Sequence, residues 1–151
     1  MKIKLLAMDV DGTLTDGRIY IGPEGEVMKA FDVKDGYGIV QFKKNGGIPV
    51  IITGRQSKIV EQRCKELGIK ELHQGVSDKL ACLKEIVDQY GLTSEEVAYI
   101  GDDLNDLECL NYAGLSACPA DAVQSVKEKV DYICRCVGGN GAVREFIDCR
   151  L

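Results

Sequence analysis

Residues 3–13 read IKLLAMDVDGT, a short apolar run that ends in two aspartates and a glycine. A run of this length is typical of a strand buried on both faces, and Gly12 marks the loop that follows it. Asp9 and Asp11 therefore stand at the carboxyl end of a predicted buried strand. Two similar apolar runs, residues 49–53 and 97–100, are each followed directly by glycine.

Segments with the apolar spacing of helices separate these strands. The pattern predicts helices over residues 38–44, 59–67, 79–90 and 106–113, and a brief strand at 69–72. Strands that alternate with helices predict an α/β fold, a doubly wound parallel sheet with helices on both faces. In such sheets ligands bind at the carboxyl ends of the strands. We expect one domain over residues 1–151.

One short segment departs from this alternation. Residues 18–21 and 27–31 flank the turn sequence Gly22-Pro23-Glu24-Gly25. Two short strands around such a turn predict a small β-hairpin.

Charge and the first residues argue against two kinds of partner, nucleic acids and membranes. The net charge of −5 disfavours a nucleic-acid partner, because nucleic-acid binding depends on positive charge. The first residues have neither the length nor the cleavage site of a signal peptide, so we expect a cytoplasmic protein with no membrane partner.

The cysteines and the histidine give little indication of a metal centre or of catalysis. Seven cysteines are scattered mostly among apolar residues, which suits reduced thiols, and Cys134 and Cys136 are the only close pair. With His73 as the only histidine, a zinc site at that pair is not expected. His73 itself is expected to be a satisfied surface residue.

Acidic and hydroxyl side chains follow three of the predicted strands: Asp9 and Asp11, Thr53, and Asp102 with Asp103. Carboxylates this close repel each other, and a hard divalent cation would compensate their charge. Magnesium favours oxygen ligands, which predicts a Mg²⁺ site formed by Asp9, the Asp11 carbonyl and Asp102. From the residues alone, a solvated acidic loop remains the alternative.

The order of these groups resembles the haloacid-dehalogenase superfamily. Its first motif, DxDG[TS], matches residues 9–13, and its second, a strand that ends in Ser or Thr, matches Thr53. Its third, a lysine at the start of a helix, matches Lys79, and its fourth, GDDxxD, matches residues 101–106. Each motif alone is weak, but four motifs in order are specific.

The resemblance implies a role for each matching residue. Asp9 would be the nucleophile that forms an aspartyl-phosphate, and Asp11 the general acid and base. Thr53 would donate a hydrogen bond to a phosphoryl oxygen, and Lys79 would neutralise charge on Asp9 and the phosphoryl group. Asp106 is expected to orient Lys79 rather than to bind metal.

Many members of that superfamily carry a cap domain after the first motif or between the second and third. Neither gap has room for one in this chain, because a hairpin and a helix occupy the first, and a helix and a strand the second. Uncapped chains of this kind act on macromolecules or borrow a cover from a neighbouring subunit.

Finer details resemble one uncapped family, the 3-deoxy-D-manno-octulosonate 8-phosphate phosphatases of lipopolysaccharide synthesis. The likeness rests on residues 9–17, 31–38, 53–55 and 138–145. It implies a sugar-phosphate substrate and contacts to it from Asp32, Val33, Lys34, Asp35, Gly36, Gly54, Arg55, Arg63 and Asn105. Guanidinium groups at Arg55 and Arg63 suit the carboxylate of a sugar acid.

Two alternative functions stay open. Val40 stands where some members of this family carry a basic residue, so a phosphatase for a nine-carbon, sialic-acid-type sugar 9-phosphate is the nearest rival. A receiver-like signalling domain, phosphorylated on aspartate, belongs to another class and also groups acidic residues and a lysine around magnesium. Asp11 argues against the receiver, because a domain that keeps its phosphate has no use for an acid and base there.

The absence of a cap leads us to expect a homo-oligomer, a homotetramer, whose subunits cover one another's sites. The hairpin is the expected assembly surface, because an isolated hairpin is marginally stable and leaves strand edges to pair. The glycine-rich residues 138–141 are expected to be flexible enough to reach a neighbouring site, the alternative being a loop before a short terminal helix.

Overall fold

The structure is a computed structural model that describes residues 2–151. Six strands form one parallel sheet. In their order across the sheet they are β5 (Glu71–His73), β4 (Ile48–Ile52), β1 (Leu5–Met8), β6 (Val97–Ile100), β7 (Leu115–Cys118) and β8 (Tyr132–Ile133). The central strands β1 and β6 carry the two acidic motifs at their carboxyl ends, so the register brings these motifs side by side.

Five helices lie between strands and a sixth follows the last strand: α1 (Val33–Lys44), α2 (Lys58–Leu67), α3 (Lys79–Gln89), α4 (Leu107–Tyr112), α5 (Gln124–Lys127) and the terminal α6 (Ala142–Arg150). Short 3₁₀ turns precede β6 and α4, at Ser94–Glu96 and Leu104–Asp106. The parallel sheet between two helical layers confirms the predicted doubly wound α/β class. No helix of residues 2–151 combines the length and the apolar character needed to cross a bilayer.

Alternating residues of β1 supply the two halves of the core. Leu6 and Met8 pack with α1, α2 and α6, whereas Leu5 and Ala7 pack with α3, α4 and α5. All four side chains are fully buried, which explains why the sequence here is continuously apolar instead of alternating. Burial of each large side chain contributes roughly 1.5–3 kcal/mol, so β1 is firmly anchored and holds Asp9 in place.

The predicted hairpin is present as β2 (Tyr20–Gly22) and β3 (Gly25–Met28), a separate antiparallel pair. It lies between β1 and α1 in the chain, and only α2 and β5 lie between β4 and α3. Neither gap contains a cap domain, as the sequence predicts.

Helix α1 begins five residues earlier than the sequence predicts, at Val33 instead of residue 38. Asp32 caps it, because its side chain accepts a hydrogen bond from the Asp35 amide. The glycines inside this helix lower its intrinsic propensity, but Gly38 is needed for packing. A Cβ there would lie 2.8 Å from Arg144 Cδ, so its absence lets α6 approach α1 closely.

The part of the chain after residue 113 is more ordered than the sequence predicts. It adds β7, α5, β8 and α6 to the fold, and Val143 and Phe146 of α6 are fully buried. Residues 138–141 contact their own chain, because the Gly139 amide donates to the Thr13 carbonyl at 3.1 Å. Residues 138–141 are therefore a packed loop before a terminal helix, and the expectation of a flexible tail is wrong.

Candidate active site

A cleft of about 190 Å³ opens at the carboxyl edge of the parallel sheet. It contains groups from all three strand ends that the sequence singles out. Its lining residues are Asp9, Asp11, Thr53, Gly54, Arg55, Asp102, Asp103 and Asn105.

Asp9, Lys79 and Asp106 form a buried charged chain below this cleft. The Lys79 ammonium donates to Asp9 Oδ1 and to Asp106 Oδ1, both at 2.9 Å. Burial lowers the pKa of Lys79, but the two carboxylates outweigh it and leave the pKa raised. Lys79 therefore remains an ammonium group with one carboxylate on each side, and the expected contact between Asp106 and Lys79 is present.

Asp106 uses both of its oxygens for hydrogen bonds within the protein. Besides Lys79, its Oδ1 accepts from the Tyr99 hydroxyl at 2.7 Å. Its Oδ2 accepts from the amides of Asp102 and Asp103 at 3.0 and 3.3 Å. Sequence reasoning missed Tyr99, because its position inside an apolar strand indicates only a core residue.

Asp9, Asp102 and Asp106 place carboxylate oxygens within 4.8 Å of one another, close enough to share a metal ion. Asp106 is occupied by four hydrogen bonds, so Asp9 and Asp102 are the members of this cluster with oxygens left for a metal ion. Within residues 2–151 this is the one acidic or thiol cluster with suitable spacing, and all seven cysteines are free and outside it.

The electrostatics of the cluster favour a bound cation. The pKa of Asp9 is raised well above its usual value, first by burial and then by Asp106 and Asp102, although Lys79 lowers it. The pKa of Asp102 is also raised, mainly by burial. Lys79 alone thus does not compensate the carboxylates, and a divalent cation between Asp9 and Asp102 would supply the missing charge.

Gly12 lets the two acidic motifs approach each other. A Cβ at this position would lie 2.0 Å from Asp102 Oδ2, and the backbone has φ of +92°. Thr13, the next residue, contacts the other oxygen of Asp102 through its hydroxyl at 3.4 Å. The glycine of the first motif is therefore required by both conformation and space.

Thr53 lies where β4 ends, buried at the wall of the cleft. Its amide donates to the His73 carbonyl, and its carbonyl accepts from the Val76 amide. The backbone is thus fixed on both sides, and the side chain borders the space next to Asp9. His73 itself contacts Glu71 at 2.8 Å away from the cleft, as expected for a satisfied histidine.

The carboxylate of Asp11 is held from the side of the hairpin. Lys29, directly after β3, donates to Asp11 Oδ1 at 2.6 Å and pairs with Glu26 at 3.1 Å. Burial lowers the pKa of Lys29, but its hydrogen bonds to these two carboxylates raise it overall. Arg55 Nε lies 4.0 Å from Asp11 Oδ2. Sequence reasoning missed Lys29 and Glu26, since no motif includes them.

The predicted sugar contacts fall into two groups. Gly54, Arg55 and Asn105 line the cleft, whereas residues 32–36 and Arg63 are absent from its lining. Those residues lie on the first turns of α1 and on α2, where Arg63 donates to the Asp32 carbonyl at 3.4 Å. Val33 is 81% exposed, and Lys34 is also exposed.

Asp35 has a structural role in this chain. Its side chain is buried and accepts a hydrogen bond at 2.9 Å from the Arg144 amide, which ties the first turn of α6 to α1. Its second oxygen has no hydrogen-bond partner. Asp35 therefore does not present its carboxylate to the cleft.

A second enclosed space lies between α1, α2 and the sheet, lined by Val10, Phe31, Ile39 and their neighbours. Its volume is about 10 Å³, close to that of a single water-sized probe. It cannot hold a sugar phosphate. The cleft at Asp9 is the candidate site because the acidic and hydroxyl groups of three strand ends meet there.

An uncapped parallel α/β sheet, with a buried aspartate paired to lysine and a second aspartate two residues later, defines a hydrolase of the haloacid-dehalogenase type. A model of haloacid dehalogenase-like hydrolases matches residues 71–147. Over 149 residues, 99% of this chain and 79% of the relative, the sequence is 47% identical to the 3-deoxy-D-manno-octulosonate 8-phosphate phosphatase KdsC of Escherichia coli K12. The chain belongs to this phosphatase family.

Solved structures agree with that assignment. A phosphatase of this name from Moraxella catarrhalis, in complex with magnesium, phosphate and KDO, has a TM-score of 0.94 and 46% identity. The comparison covers 97% of this chain and 84% of that one. The cobalt-bound enzyme of Haemophilus influenzae has a TM-score of 0.95 and 39% identity, with 97% and 86% covered.

Proposed function

We propose that this protein hydrolyses 3-deoxy-D-manno-octulosonate 8-phosphate to the free sugar acid and phosphate, with Mg²⁺ as cofactor. The observation that carries the proposal is the pair of Asp9, held by Lys79 at 2.9 Å, and Asp11, both at the wall of one open cleft. The family of the chain and the ligands of the Moraxella catarrhalis relative support the choice of substrate and metal.

The ligands proposed for Mg²⁺ are the carboxylates of Asp9 and Asp102 and the carbonyl of Asp11. All are hard oxygen donors, which suits an ion that also keeps several waters. When bound, the ion would neutralise charge on the phosphate and on the two carboxylates. Asp106 is left out of this set because its oxygens already accept four hydrogen bonds.

In the first step, an oxygen of Asp9 forms a bond to phosphorus while the bond from phosphorus to the sugar oxygen breaks. Asp11 gives its proton to that leaving oxygen, so the sugar departs as an alcohol. The Lys79 ammonium stabilises the negative charge on Asp9 and the phosphoryl group, and the Thr53 hydroxyl donates to a phosphoryl oxygen.

In the second step, water attacks the phosphorus of the aspartyl-phosphate and transfers a proton to Asp11. The bond from phosphorus to Asp9 breaks, so free phosphate leaves and both aspartates regain their starting states. One difficult displacement is thereby split into two easier ones.

Gly54, Arg55 and Asn105 are the proposed contacts to the sugar from within the same chain, because they line the cleft. The Arg55 guanidinium is half exposed, with its Nε 4.0 Å from Asp11 Oδ2, and its outer nitrogens can pair with the carboxylate of the sugar acid. A keto-acid sugar phosphate fits this combination of a phosphate site and a nearby cation.

We further propose a cytoplasmic homotetramer, in which neighbouring copies close the open cleft. Asp32, Val33, Lys34, Asp35, Gly36 and Arg63 lie outside the cleft of their own chain, so their proposed contacts are to the site of an adjacent copy. Asp35 and Gly36 are buried in their own chain, so the surface for such a contact comes from Asp32, Val33, Lys34 and Arg63. Exposed apolar residues on the hairpin, among them Ile21 and Val27, support an assembly surface there.

Phosphate release from a panel of sugar phosphates tests this function. The eight-carbon keto-acid phosphate should be hydrolysed fastest, ahead of a nine-carbon 9-phosphate and of hexose phosphates, and excess chelator should stop the reaction. Preference for the nine-carbon substrate would show that the proposed sugar is wrong. Activity in excess chelator would show that the reaction does not need the metal.

A further inference from the structure

Lys29 is one of the most deeply buried charged side chains of the protein, although it lies at the base of an exposed hairpin. Its side chain is 2% exposed, and its ammonium lies 2.6 Å from Asp11 Oδ1 and 3.1 Å from Glu26 Oε2. A buried lysine is costly unless it is paired, so these two contacts fix where the ammonium sits.

Glu26 is itself anchored to the loop that follows β4. Its second oxygen accepts a hydrogen bond from the Ser57 hydroxyl, and Ser57 caps α2 through the Val60 amide. The Ser57 amide in turn donates to Gln74 at 2.8 Å. The hairpin therefore links the Asp11 loop to the loop that carries Thr53 and Arg55, through side chains of fixed position.

The contact leaves the two oxygens of Asp11 in different environments. Oδ1 is held by Lys29, while Oδ2 lies on the side of Arg55, 4.0 Å from its Nε, at the cleft. An aspartate carboxylate rotates easily about its last torsion unless a partner fixes it. Lys29 supplies that partner for Oδ1 and leaves Oδ2 on the side of Arg55.

We propose that Lys29 is a positioning residue for Asp11, which holds one carboxylate oxygen so that the other is aimed at the leaving oxygen and then at the attacking water. This inference rests on the proposed role of Asp11 as acid and base. Glu26 holds Lys29, and Ser57 holds Glu26. The hairpin therefore orients Asp11 as well as offering a surface for assembly.

Loss of Lys29 should slow both proton transfers. How far each transfer limits the overall rate depends on the substrate. A sugar alkoxide needs a proton to leave, whereas p-nitrophenolate does not. With p-nitrophenyl phosphate the first step should stay fast and the second should become limiting, so the aspartyl-phosphate accumulates. A residue needed only for folding would instead lower the active fraction equally on both substrates.

Lys29→Met tests this directly, with Lys4→Met as the matched control, since Lys4 pairs with Glu96 at 2.6 Å away from the cleft. On the keto-acid phosphate we expect kcat to fall about 10- to 100-fold with little change in KM. On p-nitrophenyl phosphate we expect a burst of p-nitrophenolate larger than in the wild type. A Lys29→Met profile equal to that of Lys4→Met on both substrates would overturn the proposal.

Two further variants keep the test informative if Lys29→Met folds poorly. Glu26→Gln removes the second anchor of Lys29 and should give the same burst with a smaller loss of kcat. In an Asp11→Asn background, Lys29→Met should cause no further loss, because its effect passes through Asp11. A wild-type profile of Glu26→Gln, or additive losses with Asp11→Asn, would contradict the positioning role.

The proposed function fails in a different way. It is lost if the wild-type chain releases no phosphate from the keto-acid substrate, or if Asp11→Asn is fully active. The positioning role alone is lost if the wild type is active, Asp11→Asn is impaired and Lys29→Met is unaffected.

Discussion

At the scale of single residues, chemistry is concentrated where strands end. Asp9, Asp11 and Thr53 were identifiable from the sequence because each follows a continuous apolar run, and parallel strands bring their carboxyl ends to one edge. Their elements and the shared cleft appear in the structure as the pattern predicts.

Residues that support this site were not identifiable in the same way. Lys29 reaches Asp11, with Glu26 paired to Lys29, only because the hairpin folds over the end of β1. Tyr99 reaches Asp106 from within a buried strand. No pattern of residues in the sequence predicts either contact, because both depend on how separate elements pack.

Arg55 gives the prediction that belongs to this scale. Arg55→Ala should lower kcat/KM for the keto-acid phosphate about 10- to 100-fold, the effect of losing a charge-assisted hydrogen bond worth about 1.5–3 kcal/mol. Hydrolysis of p-nitrophenyl phosphate should stay nearly unchanged, because that ester has no sugar carboxylate. Steady-state kinetics on both substrates measures this, and equal losses would place Arg55 at the phosphate instead.

At the scale of elements, the sequence predicts the type of a helix or strand better than its boundaries. Apolar runs predict strands β1, β4 and β6, but the sequence pattern predicts α1 too short, because glycines inside it weaken the helical signal. The close packing of α6 on Gly38 compensates for that weakness and is a tertiary effect.

The terminal helix shows the same limit. Glycines at residues 138–141 predicted a flexible tail, but Phe146 and Ile147 of α6 are buried against the sheet. A truncation after Val137 would thus remove part of the core and would report on folding rather than on a mobile tail.

Asp35 connects α1 to α6 and makes stability depend on pH. Burial is the main cause that raises its pKa from 3.8 to about 6, although the Arg144 amide bonded to it acts in the opposite direction. The folded state favours the protonated carboxyl of Asp35. Its contribution to the free energy of unfolding is therefore fully present below pH 3.8 and is lost as the pH rises through about 6. Two pKa units correspond to at most about 3 kcal/mol.

Asp35→Asn should therefore flatten the fall in unfolding free energy between pH 4 and 6, as measured by denaturant titrations. Asp148→Asn is the control, because Asp148 lies on α6, the helix that Asp35 contacts, and is exposed. A pH slope in Asp35→Asn equal to that of the control would show that this carboxyl is not the source of the dependence.

At the scale of the whole molecule, the open cleft and the apolar hairpin point to assembly. Ile21 is 71% exposed on the hairpin, and an uncovered site would leave the reaction open to water. Light scattering should report a particle several times the 16.5 kDa chain, with four copies expected. A fully active monomer would contradict the proposed tetramer while leaving the phosphatase chemistry in place.

Ile21→Ser should shift that particle toward smaller species and weaken use of the sugar phosphate more than that of p-nitrophenyl phosphate. Ile133→Ser is the control, since Ile133 is also exposed but lies on β8. If both substitutions change the mass equally, the hairpin is not the specific assembly surface.

Trapping the phosphorylated enzyme is the most direct test of the central claim that Asp9 attacks phosphorus. The chain is mixed with Mg²⁺ and ³²P-labelled keto-acid phosphate, quenched in acid during turnover, and digested for peptide mapping. We expect label on the peptide that contains Asp9, and neither label nor phosphate release in Asp9→Asn, which barely changes side-chain volume. Normal phosphate release by Asp9→Asn, or full wild-type turnover with the label on another residue, would contradict the mechanism.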